Sequence, residues 1–407
     1  MKPIIALVLT VIIFCTLNCK SDQKTIHLTV KNSNSFALED AYIEFQLDTP
    51  EKNFVINDGA ESIPYQIVTG ESNQKTVCLA VDLKANEEKV FSIVFGDEIK
   101  NPEFMSRTYA ELSMKPEDIY FDGRFRGNAF VNVTKIKVPS IHKDHDALFR
   151  YEGPGWESEK VGYRFYLDWR NAIDIFGKNR DQLILANVGI HDTVAKDDSY
   201  HNMQEWGMDI FKVGNSLGIG SFGMWHDGKV IMVSITDSVY CEITENGPVR
   251  SQIKTNYYGW KVGAERFELE SKLSITAGSR LSKNEITISD NALNIVTGLA
   301  KYPGTYFFKS DDTGDWSYIA LYGNQTLASD NDKLGIAVFY QTKDLQELAE
   351  DDMSYVVKLR PMDGKLNYYF CAAWEQEQNA IQNLEEFKKY LNETQSLFNN
   401  PLEIKIE

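Results

Sequence analysis

The sequence has 407 residues, with 42 Lys and Arg against 59 Asp and Glu, a formal net charge of −17. That balance opposes non-specific binding to nucleic acid or to anionic lipid, so an anionic substrate would require a locally basic pocket on an acidic surface. The length accommodates two or three domains, and the apolar (43%) and charged (25%) fractions exclude a disordered chain.

Lys2 followed by the apolar run Ile4 to Phe14, too short to span a bilayer, reads as an export signal. Thr16-Leu17-Asn18-Cys19 resembles a loose lipobox, which implies that residues 1–19 are a lipoprotein signal with Cys19 as the acylated residue and Lys20 to Lys24 as a polar tether. The expectation is a lipid-anchored protein of a Gram-negative bacterium, at the outer membrane or cell surface or facing the periplasm, touching the membrane through its anchor only. Cys78, Cys241 and Cys371 are widely spaced and odd in number, which favours buried free thiols over a disulfide framework.

Over residues 20–98, short alternating runs such as Ile26 to Val30, Ala41 to Phe45 and Val90 to Phe95 are separated by Asn, Asp, Gly and Ser clusters. They predict a small N-terminal β-sandwich of immunoglobulin type. Residues 97–140 read as a connecting stretch punctuated by Asn101-Pro102, Lys115-Pro116 and the turn Phe121-Asp122-Gly123-Arg124. Ile141 to Asp146 carries His142 and His145 at HxxH spacing. A metal site would need a third ligand that the sequence does not supply, so a solvated loop is expected, with no metal and no cofactor.

Residues 99–407 continue in β-pattern. Gly153-Pro154-Gly155 forces a turn before the strand Val161 to Leu167. Arg266 to Glu270 and Ser271 to Ile275 run together as one long strand, and Leu334 to Tyr340 and Tyr368 to Phe370 come after it. One helix is expected, about Gln376 to Leu391, then a final edge strand at Leu402, Ile404 and Ile406. The fold class is therefore all-β, a small sandwich followed by a large antiparallel sandwich of mutarotase-like supersandwich type with one C-terminal helix.

Side chains able to do chemistry concentrate between His191 and Gly223, where His191, Tyr200, His201, Glu205, Trp206, Asp209 and Lys212 fall together, and His226 lies just beyond. The glycine-rich Val213 to Gly220 lacks the Lys-Ser/Thr of a phosphate loop, and no GxSxG is present.

Three blocks carry a resemblance: Trp156-Glu157-Ser158-Glu159; Tyr200-His201 with Gly207 to Gly214; and Glu245-Asn246-Gly247-Pro248-Val249-Arg250. Ile63-Pro64-Tyr65-Gln66 extends it into the first sandwich. In this order they resemble a bacterial family known as a domain of unknown function, found in polysaccharide-utilisation systems and including dehydratases of ulvan oligosaccharides. The resemblance implies removal of water from a non-reducing-end uronic acid, to give a 4,5-unsaturated sugar. The partner it implies is a uronic-acid-containing, optionally sulfated, oligosaccharide.

Such an elimination needs a base for the C5 proton, an acid for the departing C4 hydroxyl, and a cation beside the carboxylate. His201 is assigned as base and Tyr200 or His191 as acid. Arg164 and Lys212 are candidates to neutralise the carboxylate, and Trp156 or Trp206 to stack on a sugar. Glu157, Asp209 and His226 complete the substrate-binding set. Tyr200 and His201 would face opposite sides of a regular strand, so they share a site only in a loop or bulge. The alternatives are a polysaccharide lyase, which uses the same elimination with a sugar as leaving group, and a non-catalytic glycan-binding lipoprotein.

Overall fold

Period-two alternation sorts strands such as Thr25–Lys31, Glu88–Phe95, Arg250–Val262 and Leu281–Ile288 into one buried and one outer row, whereas Val161–Phe165, Ile173–Lys178 and Ile295–Ala300 are buried on both faces. The computed structural model describes residues 24–48, 53–69, 74–96, 98–115, 119–126, 129–189 and 199–407. The proposed signal, including Cys19, lies outside them. Among the described residues no helix is long and apolar enough to cross a membrane.

The first sandwich pairs a sheet of five strands (in order Glu403–Ile406, Thr25–Lys31, Glu88–Phe95, Phe54–Asp58, Glu61–Ser62) with one of three (Leu38–Gln46, Lys75–Leu83, Tyr65–Thr69). Leu28, Val30, Ile43, Phe45, Phe54, Val77, Phe91 and Ile93 fill the space between them. The last strand is an edge strand, as its alternation predicts. It belongs to this sheet, with Leu28 opposite Ile406 and Val30 opposite Ile404.

The second sandwich is built on a nine-stranded antiparallel sheet that includes Arg250–Val262, Glu265–Thr276, Leu281–Ile288, Lys333–Gln341 and Lys365–Trp374. Two five-stranded sheets pack against its inner face, where Ile253, Leu273, Ile286, Val338 and Phe370 join one continuous core. The connecting stretch contributes more than a link. Thr108–Glu111 is an edge of one five-stranded sheet, and Lys135–Lys137 borders the nine-stranded one. Its turn closes as expected, with Asp122 (φ 50°) and Gly123 (φ 73°) both left-handed in a tight hairpin. Cys78, Cys241 and Cys371 are free and buried.

The two sandwiches meet through the blocks that carry the family resemblance. The Gln66 side chain accepts hydrogen bonds from the Val249 and Arg250 amides (3.0 and 2.8 Å) and donates to the Arg250 carbonyl (3.0 Å). A Cβ on Gly247 would lie 2.6 Å from the Gln66 amide, so a side chain there would displace the Gln66 group that joins the two sandwiches. Arg107 grips Asp40 at 2.6 and 2.8 Å from the other side.

The helix spans Leu384–Asn399, starting later than the expected Gln376. Asn383 sets the boundary: its side chain accepts from the Glu386 amide (3.0 Å), and Glu386 accepts in return from the Asn383 side chain (2.8 Å) and the Gln382 amide (2.8 Å). Phe387, Leu391, Thr394 and Phe398 form the face laid against the outer side of the nine-stranded sheet. A Cβ on Gly335 would sit 2.7 Å from the Phe387 ring, so the glycine makes the hollow that the ring fills. Phe387→Ala is therefore expected to destabilise the protein by about 3–5 kcal/mol, read as a lower urea midpoint.

Candidate functional site

One five-stranded sheet, in the order Gly207–Asp209, Ile173–Lys178, Val161–Phe165, Gly155–Ser158, Thr108–Glu111, carries the candidate site on its outer face. Its inner row, Ala110, Trp156, Tyr163, Phe165, Ile173, Ile175 and Met208, belongs to the main core. The alternate positions turn Glu111, Glu157, Arg164, Asp174, Lys178 and Asp209 to the other side. All six are buried, because Tyr151, Ile184, Leu185, Val188 and Tyr200 cluster around Phe176 and cover that face.

A covered row of charges survives only if each is paired and hydrogen-bonded. Glu157 meets Lys178 at 2.9 Å and accepts from the Ile184 and Leu185 amides at 2.8 Å each. Burial pushes Glu157 up and Lys178 down, and their mutual attraction only partly restores them. Arg150 pairs with Glu111 and donates to the Leu185 and Ala186 carbonyls (2.9 and 3.2 Å), so the covering turn is fastened at both ends.

Arg164 is the hub. Its guanidinium donates to Asp174 (2.7 Å), Asp209 (2.6 Å) and the hydroxyls of Tyr166 (2.9 Å) and Tyr200 (3.2 Å), with Glu152 3.8 Å away. Burial opposes its charge, but Asp209, Tyr166 and Asp174 outweigh this and hold it firmly ionised. Burial, then repulsion from Asp209, pushes Asp174 up to about 6 against the pull of Arg164 and the Tyr166 hydroxyl.

Asp209 extends the hub to the surface. Its Oδ2 lies 3.1 Å from Nδ1 of His201, whose side chain is 49% exposed. Tyr200 and His201 occupy a short 3-10 turn, Ser199–His201, instead of a strand. Both rings therefore lie on one side, with centroids 4.3 Å apart. Gly207 permits the adjoining strand to come close: at φ 131°, a Cβ there would lie 1.9 Å from the Gly177 carbonyl oxygen.

Several expectations are corrected. Trp156 is fully buried and donates its indole N–H to Ser282 (2.8 Å), so it has no face for a sugar. Glu157 holds the covering turn and is closed to substrate. Arg164 is committed to two carboxylates and acts on Asp209 and Tyr200 rather than on a ligand at the surface. Trp206 is half-buried, edge-on to Phe176 at 6.1 Å. His226 lies in the other five-stranded sheet, packed over Gly263 and 3.3 Å from Asp227. Lys212 is exposed. His191 lies outside the described residues.

The HxxH stretch divides. His142 is buried, paired with Asp146 at 2.9 Å and edge-on to Phe149, whereas His145 faces solvent. Their imidazoles do not converge, and among the described residues no three His, Cys, Asp or Glu are grouped to hold a metal.

Residues that sequence reasoning missed are Asp174, Tyr166, Glu152 and Arg170. The last two pair at 2.9 Å, and Arg170 stacks 3.8 Å over the Tyr166 ring. Asp174 was detectable in Ile173-Asp174-Ile175, where a carboxylate alternates with buried isoleucines. A cavity of about 1600 Å³ opens elsewhere, between the small sandwich, the helix and the outer face of the nine-stranded sheet, and no candidate residue borders it.

Asp174 gives the hub a pH signature. Its carboxyl titrates at roughly 3.9 in an unfolded chain and at about 6 when folded, so the folded state binds the proton more tightly. This contribution to stability is complete below the unfolded value and is lost as pH rises through the folded one. Asp174→Asn cannot ionise, and thermal melts between pH 4 and 7.5 should show a smaller fall in Tm for it than for the parent.

No curated protein matches the sequence. Among solved structures, the chain is similar to a protein in the glycosyl hydrolase family 38 from Enterococcus faecalis, at 11% identity and TM-score 0.49, covering 94% of this chain and 47% of that one. It is also similar to an alpha-mannosidase from Enterococcus faecalis V583, at 11% identity and TM-score 0.47, covering 94% and 46%. The chain thus spans about half the length of both. A family model matches residues 30–404, and the chain belongs to that family, the domain of unknown function DUF4861.

Proposed function

We propose that the protein removes water from the non-reducing-end uronic acid of an acidic, ulvan-type oligosaccharide, with His201 as base and Tyr200 as acid. The observation that carries this reading is the relay from buried Arg164 through Asp209 to a half-exposed imidazole. A carboxylate at Nδ1 keeps the proton there, puts the lone pair on Nε2, and stabilises the imidazolium formed when Nε2 takes a proton. Tyr200 is the complementary group. Its phenol oxygen accepts from Arg164, and that cation favours the phenolate left after proton donation.

The step balances with these two groups. His201 takes the C5 proton, the C5–H electrons become the C4=C5 bond, and the C4–O bond breaks as Tyr200 protonates the departing hydroxyl. Water and the 4,5-unsaturated uronate leave. Loss of the proton from the imidazolium and its return to the phenolate by exchange with water reset the site. Lys212, exposed three residues beyond Asp209, is assigned to the substrate carboxylate, whose neutralisation acidifies C5. Anchoring through Cys19 would place this chemistry at the outer membrane, where long acidic glycans are met.

Incubation with ulvan-derived oligomers bearing a saturated uronate end is expected to give products lighter by one water, absorbing in the ultraviolet, with no shortening of the chain. Shortened chains would instead indicate a lyase, and absence of either product with every uronate oligomer would sink the proposal. His201→Ala should lower kcat/KM by at least 10²-fold. Asp209→Asn should lower kcat by roughly 10- to 10³-fold while the fold, read by circular dichroism, persists.

A further inference from the structure

With Trp156 buried in the core, a sugar needs another surface to lie on. Of the chain's seven tryptophans, Trp156, Trp260 and Trp374 are fully buried and Trp206, Trp225 and Trp316 are partly covered. Trp169 is exposed, at 44%. Its indole is nonetheless fixed: Nε1 donates to Asp144 Oδ1 at 3.1 Å, and Asp144 Oδ2 receives His145 Nδ1 at 3.2 Å. Burial works to raise the Asp144 carboxyl, but the hydrogen bonds from Trp169 and His145 and the charge of Arg170 outweigh it, so Asp144 stays ionised. An exposed indole clamped at its edge is preorganised to offer a flat apolar face.

This platform adjoins the His201 relay through a single carboxylate. Glu152 accepts from the His145 amide at 3.3 Å and from Arg170 at 2.9 Å, and lies 3.8 Å from both the His145 ring and Arg164. Arg170 is the next residue after Trp169 and stacks on Tyr166, which itself donates to Asp174 and accepts from Arg164. The backbone bends sharply to achieve this. His145 (φ 59°), Ala147 (φ 59°) and Glu152 (φ 72°) are all left-handed without being glycine, a conformation that gathers where a site over-determines it. The segment from His145 to Arg170 thus places a rigid aromatic and a solvent-facing imidazole around Glu152, whose carboxylate lies 3.8 Å from the Arg164 that holds Tyr200 and Asp209.

We infer that Trp169, clamped by Asp144 and flanked by His145, is the platform for the sugar joined to C1 of the reacting uronate. Resting on the dehydration reading of the His201 site, this makes the substrate an oligosaccharide of at least two residues rather than a free uronic acid. A pyranose presents axial C–H groups on one face, which match an indole, while its hydroxyls meet the polar rim of His145 and Asp144. The reacting sugar is then positioned by its neighbour in the glycan, whose binding energy orients C5 toward the base.

Two measurements separate this inference from the reading beneath it. In the first, His201→Ala is titrated with an ulvan-derived tetrasaccharide bearing a saturated uronate end and monitored by calorimetry, alone and combined with Trp169→Ala or Trp169→Phe. Combination with Trp169→Ala is expected to weaken binding about ten-fold, and combination with Trp169→Phe considerably less. In the second, Trp169→Ala with His201 intact is expected to raise KM for the tetrasaccharide about ten-fold with a much smaller change in kcat. Unchanged affinity and KM would overturn the platform and leave the dehydration reading standing. Trp169-dependent binding without any loss of water would do the reverse.

Discussion

The site depends on the burial of one cation. Arg164 stands on the outer face of a sheet whose cover excludes water, and its charge persists there because two carboxylates and two phenols converge on it. Removing one partner of such a cluster leaves an uncompensated buried charge, at a cost of about 3–5 kcal/mol. That penalty is what makes the geometry rigid. Asp209 cannot turn away from Arg164, so His201 is held in one orientation, and Tyr200 is drawn to the same guanidinium.

The same alternation that makes the fold legible explains why the site was only partly so. Strand segments, the joined Arg266 to Ile275 run and the final edge strand derive from period-two patterns that need no tertiary knowledge. What alternation does not reveal is which row is covered. Trp156 and Glu157 are neighbours in sequence and face opposite sides, one into the main core and the other under the Ile184–Leu185 turn. Neither meets solvent, because both faces of this sheet are packed. A sequence reader expects charges on one face of an antiparallel strand to be solvated, and for Glu157, Arg164 and Lys178 that expectation fails.

The motif blocks also divide by role. Gln66 and the Gly247 to Arg250 turn lock the two sandwiches together, and the Trp156 block carries the core and the covering turn. His201 is the part that reaches the surface, backed by the buried Tyr200 and Asp209. The helix boundary shows the limit of periodicity in another way: Ile381 is apolar and near the right face, yet the Asn383–Glu386 cap, a local hydrogen-bonding device, decides where the helix starts. Hydrophobic spacing finds an element, and capping chemistry finds its end.

The pairing of Glu403–Ile406 with Thr25–Lys31 has an outcome for biogenesis. Lys31 and Glu403, 372 positions apart, meet at 2.7 Å, so the large sandwich is in effect an insertion between two strands of the small one. The other strands of the small sandwich lie within residues 25–95, but the outer edge of Thr25–Lys31 is covered only when Glu403–Ile406 pairs with it. An open edge is a template for pairing with other chains, and here the strand that covers it lies beyond the whole nine-stranded sheet in sequence. The small sandwich is thereby closed by a strand that follows the large one in sequence, and the exposed Lys31–Glu403 pair borders that closure.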